Sequence, residues 1–148
     1  MKATEGKTGR VFILRLEDGD KLPSCLETFA AENHIAHAQV ILLGGVKNGR
    51  VVVGPKDTAQ MPPNPVYKPF TDAHEVLAAG LLVPDSHNKP MLHLHGALGR
   101  GESVTAGCLR PGVDTWLVAE AVITEITGVK AARQPDGPSG FELLEVGE

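Results

Sequence analysis

Two histidines separated by a single residue, His93 and His95, are the side chains in this sequence best placed to do chemistry. They occur in the run Met91-Leu92-His93-Leu94-His95-Gly96, whose alternation is typical of a β-strand. Residues i and i+2 of a strand leave the same face of a sheet, so both imidazoles are expected to point to one place. Neighbouring imidazoles are a usual beginning of a transition-metal site, although two ligands alone do not hold an ion.

Cys108 is the candidate third ligand. Residues 103–109 have the pattern of the next strand, after a turn at Gly99-Arg100-Gly101, and pairing of the two strands would bring the sulfur beside the imidazoles. Two nitrogens and one thiolate, with a fourth position open, suit zinc or another divalent transition metal better than magnesium or calcium. His87, in the preceding turn, is an outlying fourth ligand. The alternative interpretation is structural, with the histidines on a partly wetted face and Cys108 packing as a small apolar residue.

Length, composition and charge limit the classes of protein to consider. The 148 residues predict a single domain over 1–148, with its core at about 9–146. Two cysteines and no apolar leader at the N-terminus indicate a reducing, cytoplasmic location, and no apolar stretch approaches the length of a membrane helix. The net charge is −4 and Lys and Arg are scattered, so nucleic acid is not an expected partner.

The elements that must position these residues are short strands and one helix. Leu22, Leu26, Phe29 and Ala30 recur at helical spacing, with Pro23 near the first turn, and the helix is expected to end at Asn33. The predicted strands are 11–16, 35–43, 51–53, 74–83, 90–98, 103–109, 115–126 and 141–146. Short connections between strands favour antiparallel order, which predicts a one-domain α+β fold.

Turn residues divide these strands. Gly44-Gly45 is expected to break the strand 35–43, and Asn48-Gly49 is the strongest hairpin signal in the chain. Residues 55–69 contain five prolines, so this segment is predicted to be a mobile loop that wraps an edge of the sheet.

Taken together, the sequence resembles the plant and prokaryote conserved (PPC) domain family from Gly9 to about Leu144. The blocks that carry the resemblance are, in order, Gly9-Arg10-Val11-Phe12-Ile13-Leu14-Arg15-Leu16, Phe29-Ala30-Ala31-Glu32-Asn33-His34-Ile35, His74-Glu75-Val76-Leu77, His93-Leu94-His95, Gly107-Cys108-Leu109 and Ala119-Glu120-Ala121-Val122-Ile123-Thr124-Glu125. The resemblance implies a twisted, mostly antiparallel sheet with one long helix packed on it, and a homotrimer as the assembly.

The resemblance also bears on the metal hypothesis. Bacterial and archaeal members of the family have His-x-His followed by a further histidine, and these residues can hold a metal. His93 and His95 match the pair directly, whereas Cys108 stands at the position of the third histidine. A thiolate there would either preserve the site with softer character or mark a member that has lost it. Plant members bind DNA through an AT-hook with an Arg-Gly-Arg-Pro core, which this sequence lacks.

Two functional hypotheses follow. The first is a small homotrimeric binding module, for which a regulatory role is one expectation. Its site would consist of His93, His95 and Cys108, with Glu120 as an additional residue, and would hold a metal or a small ligand near a subunit boundary. The partner would be the chain itself, with a small ligand or a protein as a further partner, and no membrane. The second is a zinc-water hydrolase with Glu120 or Glu75 as general base. A DNA-associated role by family analogy is the remaining alternative.

Overall fold

A nine-stranded sheet contains most of the chain. The structure, a computed structural model, describes residues 1–147. The elements in chain order are β1 (Lys7–Glu17), β2 (Lys21–Leu22), α1 (Ser24–Glu32), β3 (Ala38–Lys47), β4 (Gly49–Pro55), β5 (Pro65–Phe70), β6 (His74–Pro84), β7 (Pro90–Arg100), β8 (Ser103–Leu109), β9 (Val113–Thr127), β10 (Ala131–Asp136) and β11 (Phe141–Val146).

The strand order is β1-β9-β3-β6-β7-β8-β4-β5, with β2 paired to β9, and β10 and β11 form a separate two-stranded ribbon. The strand pairs within residues 1–147 are antiparallel. The predicted α+β fold with a mostly antiparallel sheet is therefore confirmed.

Strand alternation separates an inner from an outer face of the sheet. The inner face has one continuous row of paired residues: Leu14, Ala121, Leu42, Ala78, Gly96 and Gly107. Most of this face is buried, and it forms the apolar core together with the helix. The neighbouring row of paired residues lies on the outer face and consists of Ile13, Val122, Ile41, Ala79, His95 and Cys108. The predicted ligands His95 and Cys108 therefore lie on the side of the sheet away from the core.

The helix is in the predicted place but is short, so the expectation of one long helix is wrong. It spans nine residues and packs Leu26 and Ala30 into the core. The backbone N–H of Ile35 donates to the carbonyl of Ala30 at 2.8 Å and that of His34 to the carbonyl of Ala31 at 3.2 Å, with His34 at φ 54°. This is a Schellman ending, which stops the helix after little more than two turns. Within residues 1–147 no helix has the length and apolar character needed to cross a bilayer.

Two turn predictions are wrong for the same reason, namely that local signals do not specify pairing. The strand does not break at Gly44-Gly45, because β3 continues to Lys47 with a register shift against β9. Gly44 has φ 129°, and a Cβ there would lie 2.6 Å from the Cα of Ala119, so only glycine fits this shift. Asn48, at φ 50°, joins β3 to β4, but these strands pair with other neighbours and form no hairpin.

The proline-rich segment 55–69 is only in part a loop. Residues 65–69 belong to β5, which pairs with β4 at the edge of the sheet. An edge strand tolerates proline because one side of its backbone needs no partner strand. The ribbon strand β10 and the short β2 were not predicted from the sequence.

Candidate metal centre

Adjacent strands β7 and β8 bring the three predicted ligands together. His93 and His95 lie on the outer face of β7, two residues apart, and Cys108 on β8 is directly opposite His95. The three side chains are called the His/His/Cys cluster below. The two histidines are exposed, whereas the Cys108 side chain is buried.

The ligand atoms of the cluster are close enough to share one ion. The Nε2 atoms of His93 and His95 lie 3.0 Å apart, and the imidazole nitrogens and the Cys108 sulfur lie within 4.8 Å of one another. Two nitrogens bound tetrahedrally at the usual zinc distance are separated by about 3.4 Å. A small rotation of the side chains would therefore give the spacing that a zinc ion requires.

The protonation of the two histidines suits ligation. Although the residue is exposed by surface area, neighbouring groups partly cover the His93 ring, and this desolvation lowers the pKa of His93. The charges of Arg133, His95 and Arg110 lower it further. The short contact between the two rings requires one nitrogen to donate and the other to accept, so one ring at least is neutral. A neutral imidazole has the lone pair that a metal needs.

Cys108 is a thiol in the absence of a metal. Burial raises the pKa of Cys108, and the nearby positive charges of Arg110 and Arg133 only partly oppose this effect. A metal ligand must be the thiolate, so binding of an ion would release the proton of Cys108.

Two arginines border the cluster, and neither was predicted from the sequence. Arg110 follows Cys108 by two residues, and its backbone N–H donates to the carbonyl of Arg50 at 3.4 Å, so extended geometry continues past β8. Alternation along a strand was therefore a sufficient signal for Arg110. Arg133 comes from β10, whose ribbon packs against β6, and sequence offers no signal for that contact.

The position of β7 depends in part on a contact with the helix. The carboxylate of Glu27 on α1 accepts a hydrogen bond from the backbone N–H of Leu92 at 2.9 Å. Burial raises the pKa of Glu27, and the hydrogen bond from Leu92 opposes this shift. Leu92 immediately precedes His93, so the helix holds the strand at the start of the cluster.

The structure does not bring the other predicted residues to the cluster. Glu120 lies on β9, and β3 and β6 separate β9 from β7, which places it about 14 Å away by strand spacing. Glu75 on β6 pairs with Gly99 on β7. Gly99 lies four residues, or about 13 Å, from His95 along the same strand. His87 is exposed in the turn before β7 and is not part of the group of possible ligands.

Comparison with protein families shows what the chain is related to. The family model described as the Plants and Prokaryotes Conserved (PCC) domain matches residues 3–127. The chain therefore belongs to this family, and the resemblance noted from its sequence is confirmed. The chain is also similar to the bifunctional protein GlmU of Synechococcus sp. (strain JA-3-3Ab), with 28% identity over 140 residues. The match covers 93% of the chain and only 20% of that relative, so the chain spans about a fifth of its length.

Solved structures share the whole fold. A metal-containing protein from Archaeoglobus fulgidus has a TM-score of 0.84 and 25% identity, with 98% of this chain and 99% of that chain covered. A PPC protein from Pyrococcus horikoshii has a TM-score of 0.85 and 23% identity, with coverage of 100% and 99%. A Bacteroides thetaiotaomicron protein, provisionally named as DNA-binding, has a TM-score of 0.79 and 19% identity, with 97% of each chain covered.

Proposed function

We propose that the protein is a homotrimeric binding module in which His93, His95 and Cys108 hold zinc or another divalent transition metal. The observation that supports this most directly is the approach of the three ligand atoms to within 4.8 Å of one another on adjacent strands. The similar Archaeoglobus fulgidus protein, described as metal-containing, is consistent with it. A bound divalent ion with three protein ligands would offer one open position to a small ligand.

Binding is a better proposal than hydrolysis because the carboxylates considered as general bases lie in other parts of the sheet. A zinc-bound water needs a base or acid within hydrogen-bond reach. Within residues 1–147, Glu75 and Glu120 are separated from the cluster by several strand or residue spacings. The charged groups beside the cluster are instead two arginines, which would favour an anion rather than accept a proton.

The outer face of the sheet supports the proposed trimer. Ile13 is 84% exposed and Leu77 is 64% exposed, and both lie on this face together with Leu43 and Val122. A shallow depression of about 410 Å³ beside His95 is lined mainly by apolar residues, among them Ile41, Leu77 and Ala97. An exposed apolar surface of this kind is typical of an interface. In the proposed trimer the neighbouring subunits cover it, and the metal lies close to their boundary.

A reducing compartment suits this function. Cys25 and Cys108 are both free, and Cys108 must remain a thiol in order to bind a metal as the thiolate. We therefore propose a cytoplasmic location.

The net charge of the chain argues against a general affinity for DNA. The sequence has 18 acidic and 14 basic residues, and counterion release from a polyanion requires clustered positive charge. A salt titration of duplex DNA binding tests this point, with tight association at near-physiological salt contradicting it.

The metal proposal is tested by elemental analysis of tag-free protein. Wild type is expected to contain about one metal ion per chain by the three-ligand argument, and His93→Ala/His95→Ala is expected to contain little. His87→Ala is the matched control, because it removes an exposed histidine outside the cluster. A metal-free wild type that also fails to bind added zinc would reject the proposal.

The trimer is tested by light scattering on the eluted protein. Leu77→Asp places a charge on the outer face and is expected to reduce the molar mass from three chains to one. Leu143→Asp is the control, because Leu143 is 43% exposed on β11, outside the main sheet. A monomeric wild type would contradict the assembly.

A further inference from the structure

Two arginines outside any ion pair of residues 1–147 border the His/His/Cys cluster, Arg133 being buried and Arg110 half-buried. Arg133 is 7% exposed, and the Nε atoms of Arg133 and Arg110 are buried without a hydrogen-bond partner. Neither guanidinium takes part in the ion pairs found within residues 1–147. A charged group removed from water without a partner loses its hydration and gains nothing in return.

The two arginines reach the cluster from different elements. Arg110 leaves the same face as Cys108 because the two residues are separated by one position of extended chain. Arg133 comes from β10 of the ribbon. The ribbon is held to the rest of the chain by a contact of 2.7 Å between the backbone carbonyl oxygen of Ala131, also on β10, and the Nε2 atom of His37. Both positive charges act on His93 and on Cys108, so both guanidinium groups lie close to the proposed ligands.

The charges around the cluster do not balance. Glu142, on the neighbouring strand of the ribbon, is the acidic residue whose charge acts on Arg133, but the two form no ion pair. A divalent ion bound with one thiolate would add a further positive charge beside the two arginines.

We infer that Arg133 and Arg110 form a binding site for an oxyanion, the carboxylate or phosphate group of a small ligand, directly beside the His/His/Cys cluster. A guanidinium group presents parallel N–H donors that match two oxygens of such a group. The ligand would accept hydrogen bonds from the terminal nitrogens of the guanidinium groups and balance their charge. This site extends the proposed function, because it names the chemistry of the small ligand that the binding module would take. The two arginines would bind the oxyanion without the metal, and a bound metal would add one further contact to the same ligand.

The inference concerns a part of this chain outside the family match. Arg133 lies beyond residues 3–127, on a ribbon that is not paired to the main sheet. An anion held there would connect the ribbon to the strands that carry the cluster.

The first test measures thermal stability in Tris chloride as inorganic phosphate or acetate is added at constant ionic strength. An anion that binds only the folded protein raises the Tm. We expect at least one of the two anions to stabilise wild type above the chloride baseline, and the one that binds more tightly identifies the class. In Arg133→Met, which keeps the length of the side chain, the affinity is expected to fall roughly tenfold or more because charge-assisted hydrogen bonds are lost. Arg15→Met, an exposed arginine of β1, is the control and is expected to behave as wild type.

A second measurement separates an anion site from a structural arginine. Without added oxyanion, Arg133→Met is expected to have a higher Tm than wild type, because a buried charge without a partner is removed. Arg133→Lys keeps the charge but not the paired donors, and it is expected to bind the anion more weakly than wild type. The His93→Ala/His95→Ala variant is expected to keep the anion effect, so a failure of the metal proposal would be recognised separately.

Two results would overturn the inference. One is the absence of any phosphate or acetate effect on wild type beyond that of chloride. The other is loss of the oligomer in Arg133→Met together with a lower Tm, which would show that Arg133 pairs with an acidic residue of another subunit.

Discussion

Cys108 lies directly opposite His95 in the antiparallel register of β7 and β8. Residues in this relation have Cβ atoms about 5 Å apart, so the chemistry of the residue at position 108 acts directly on the imidazole pair. The family resemblance implies a histidine at this position, and the chain has a buried cysteine instead. The substitution therefore changes the character of the candidate site without moving it.

Replacement of Cys108 is expected to change the preference of the site among metals. Cys108→Ser should lower zinc affinity by about tenfold or more, because a hydroxyl is a poor ligand for zinc. Cys108→His should keep zinc binding and weaken binding of soft ions such as Cu(I), which prefer thiolate. Competition titrations with a chromophoric chelator measure both effects. Cys25→Ser is the control, and equal zinc affinity in wild type and Cys108→Ser would remove Cys108 from the site.

Zinc affinity is expected to rise with pH. Burial raises the pKa of Cys108 above that of an ordinary thiol, so at neutral pH the zinc ion displaces a proton from the thiol. The pKa of His93 is lowered, chiefly by burial, so its protonation does not oppose metal binding in the same range. Affinity should therefore increase about tenfold per pH unit between roughly pH 7 and 8.5, one proton being released per ion. In Cys108→Ser the slope should be nearly flat, and a flat slope in wild type would contradict the role of the thiol.

The sequence predicts the histidine pair and its cysteine because the signals are local. Alternation along one strand places His93 and His95 on one face, and a short turn pairs that strand with the one that contains Cys108. Arg133 could not be predicted, because its position depends on the packing of the ribbon against β6, for which no local pattern exists.

The same distinction between local patterns and tertiary contacts explains which predictions of the fold were wrong. Asn48-Gly49 specifies a backbone with positive φ, which Asn48 adopts, but the dipeptide does not determine that the flanking strands pair. The helical spacing of Leu26 and Ala30 is correct, yet the ending depends on backbone hydrogen bonds from His34 and Ile35. Propensity and spacing therefore locate elements, whereas tertiary contacts determine their length and partners.

The contact between Glu27 and Leu92 predicts different effects on stability for two substitutions of Glu27. Glu27→Ala leaves the partly buried N–H of Leu92 without an acceptor and is expected to lower the free energy of unfolding by about 1–3 kcal/mol. Glu27→Gln keeps the acceptor oxygen and removes a charge that burial disfavours, so it should be neutral or slightly stabilising at pH 7. Urea denaturation measures both. Equal destabilisation by Ala and Gln would show that the charge, rather than the hydrogen bond, is what matters.

Gly107, which precedes Cys108 on β8, lies so close to the backbone of β4 that a side chain has no room. A Cβ at this position would lie 2.3 Å from the carbonyl oxygen of Val52 on β4. Gly107→Ala must therefore push β8 away from β4, and it is expected to destabilise the protein by about 1–3 kcal/mol and to weaken zinc binding. Gly137→Ala is the matched control, because a Cβ there meets no atom within 4 Å. Equal stability of the two variants would contradict the packing argument.

The ion pair between Arg10 and Glu125 predicts how stability depends on acid. The side chain of Arg10 donates to both carboxylate oxygens of Glu125, at 2.8 and 2.7 Å, and its backbone N–H donates as well. These bonds lower the pKa of Glu125 from 4.5 to about 2, the side-chain bond from Arg10 having the largest effect. A lowered pKa means that the unfolded chain binds the proton more tightly, so this contribution is complete above pH 4.5 and is lost as the pH falls towards 2.

Glu125→Gln is therefore expected to lower stability at pH 7 and to make the decline between pH 4.5 and 2 less steep than in wild type. Glu145→Gln is the control, because Glu145 also forms an ion pair, with Lys2, but at a more exposed position. Its effect should be small, since exposed ion pairs contribute little. Urea denaturation at a series of pH values measures these slopes. An unchanged slope in Glu125→Gln would contradict the lowered pKa of Glu125 and its origin in the ion pair with Arg10.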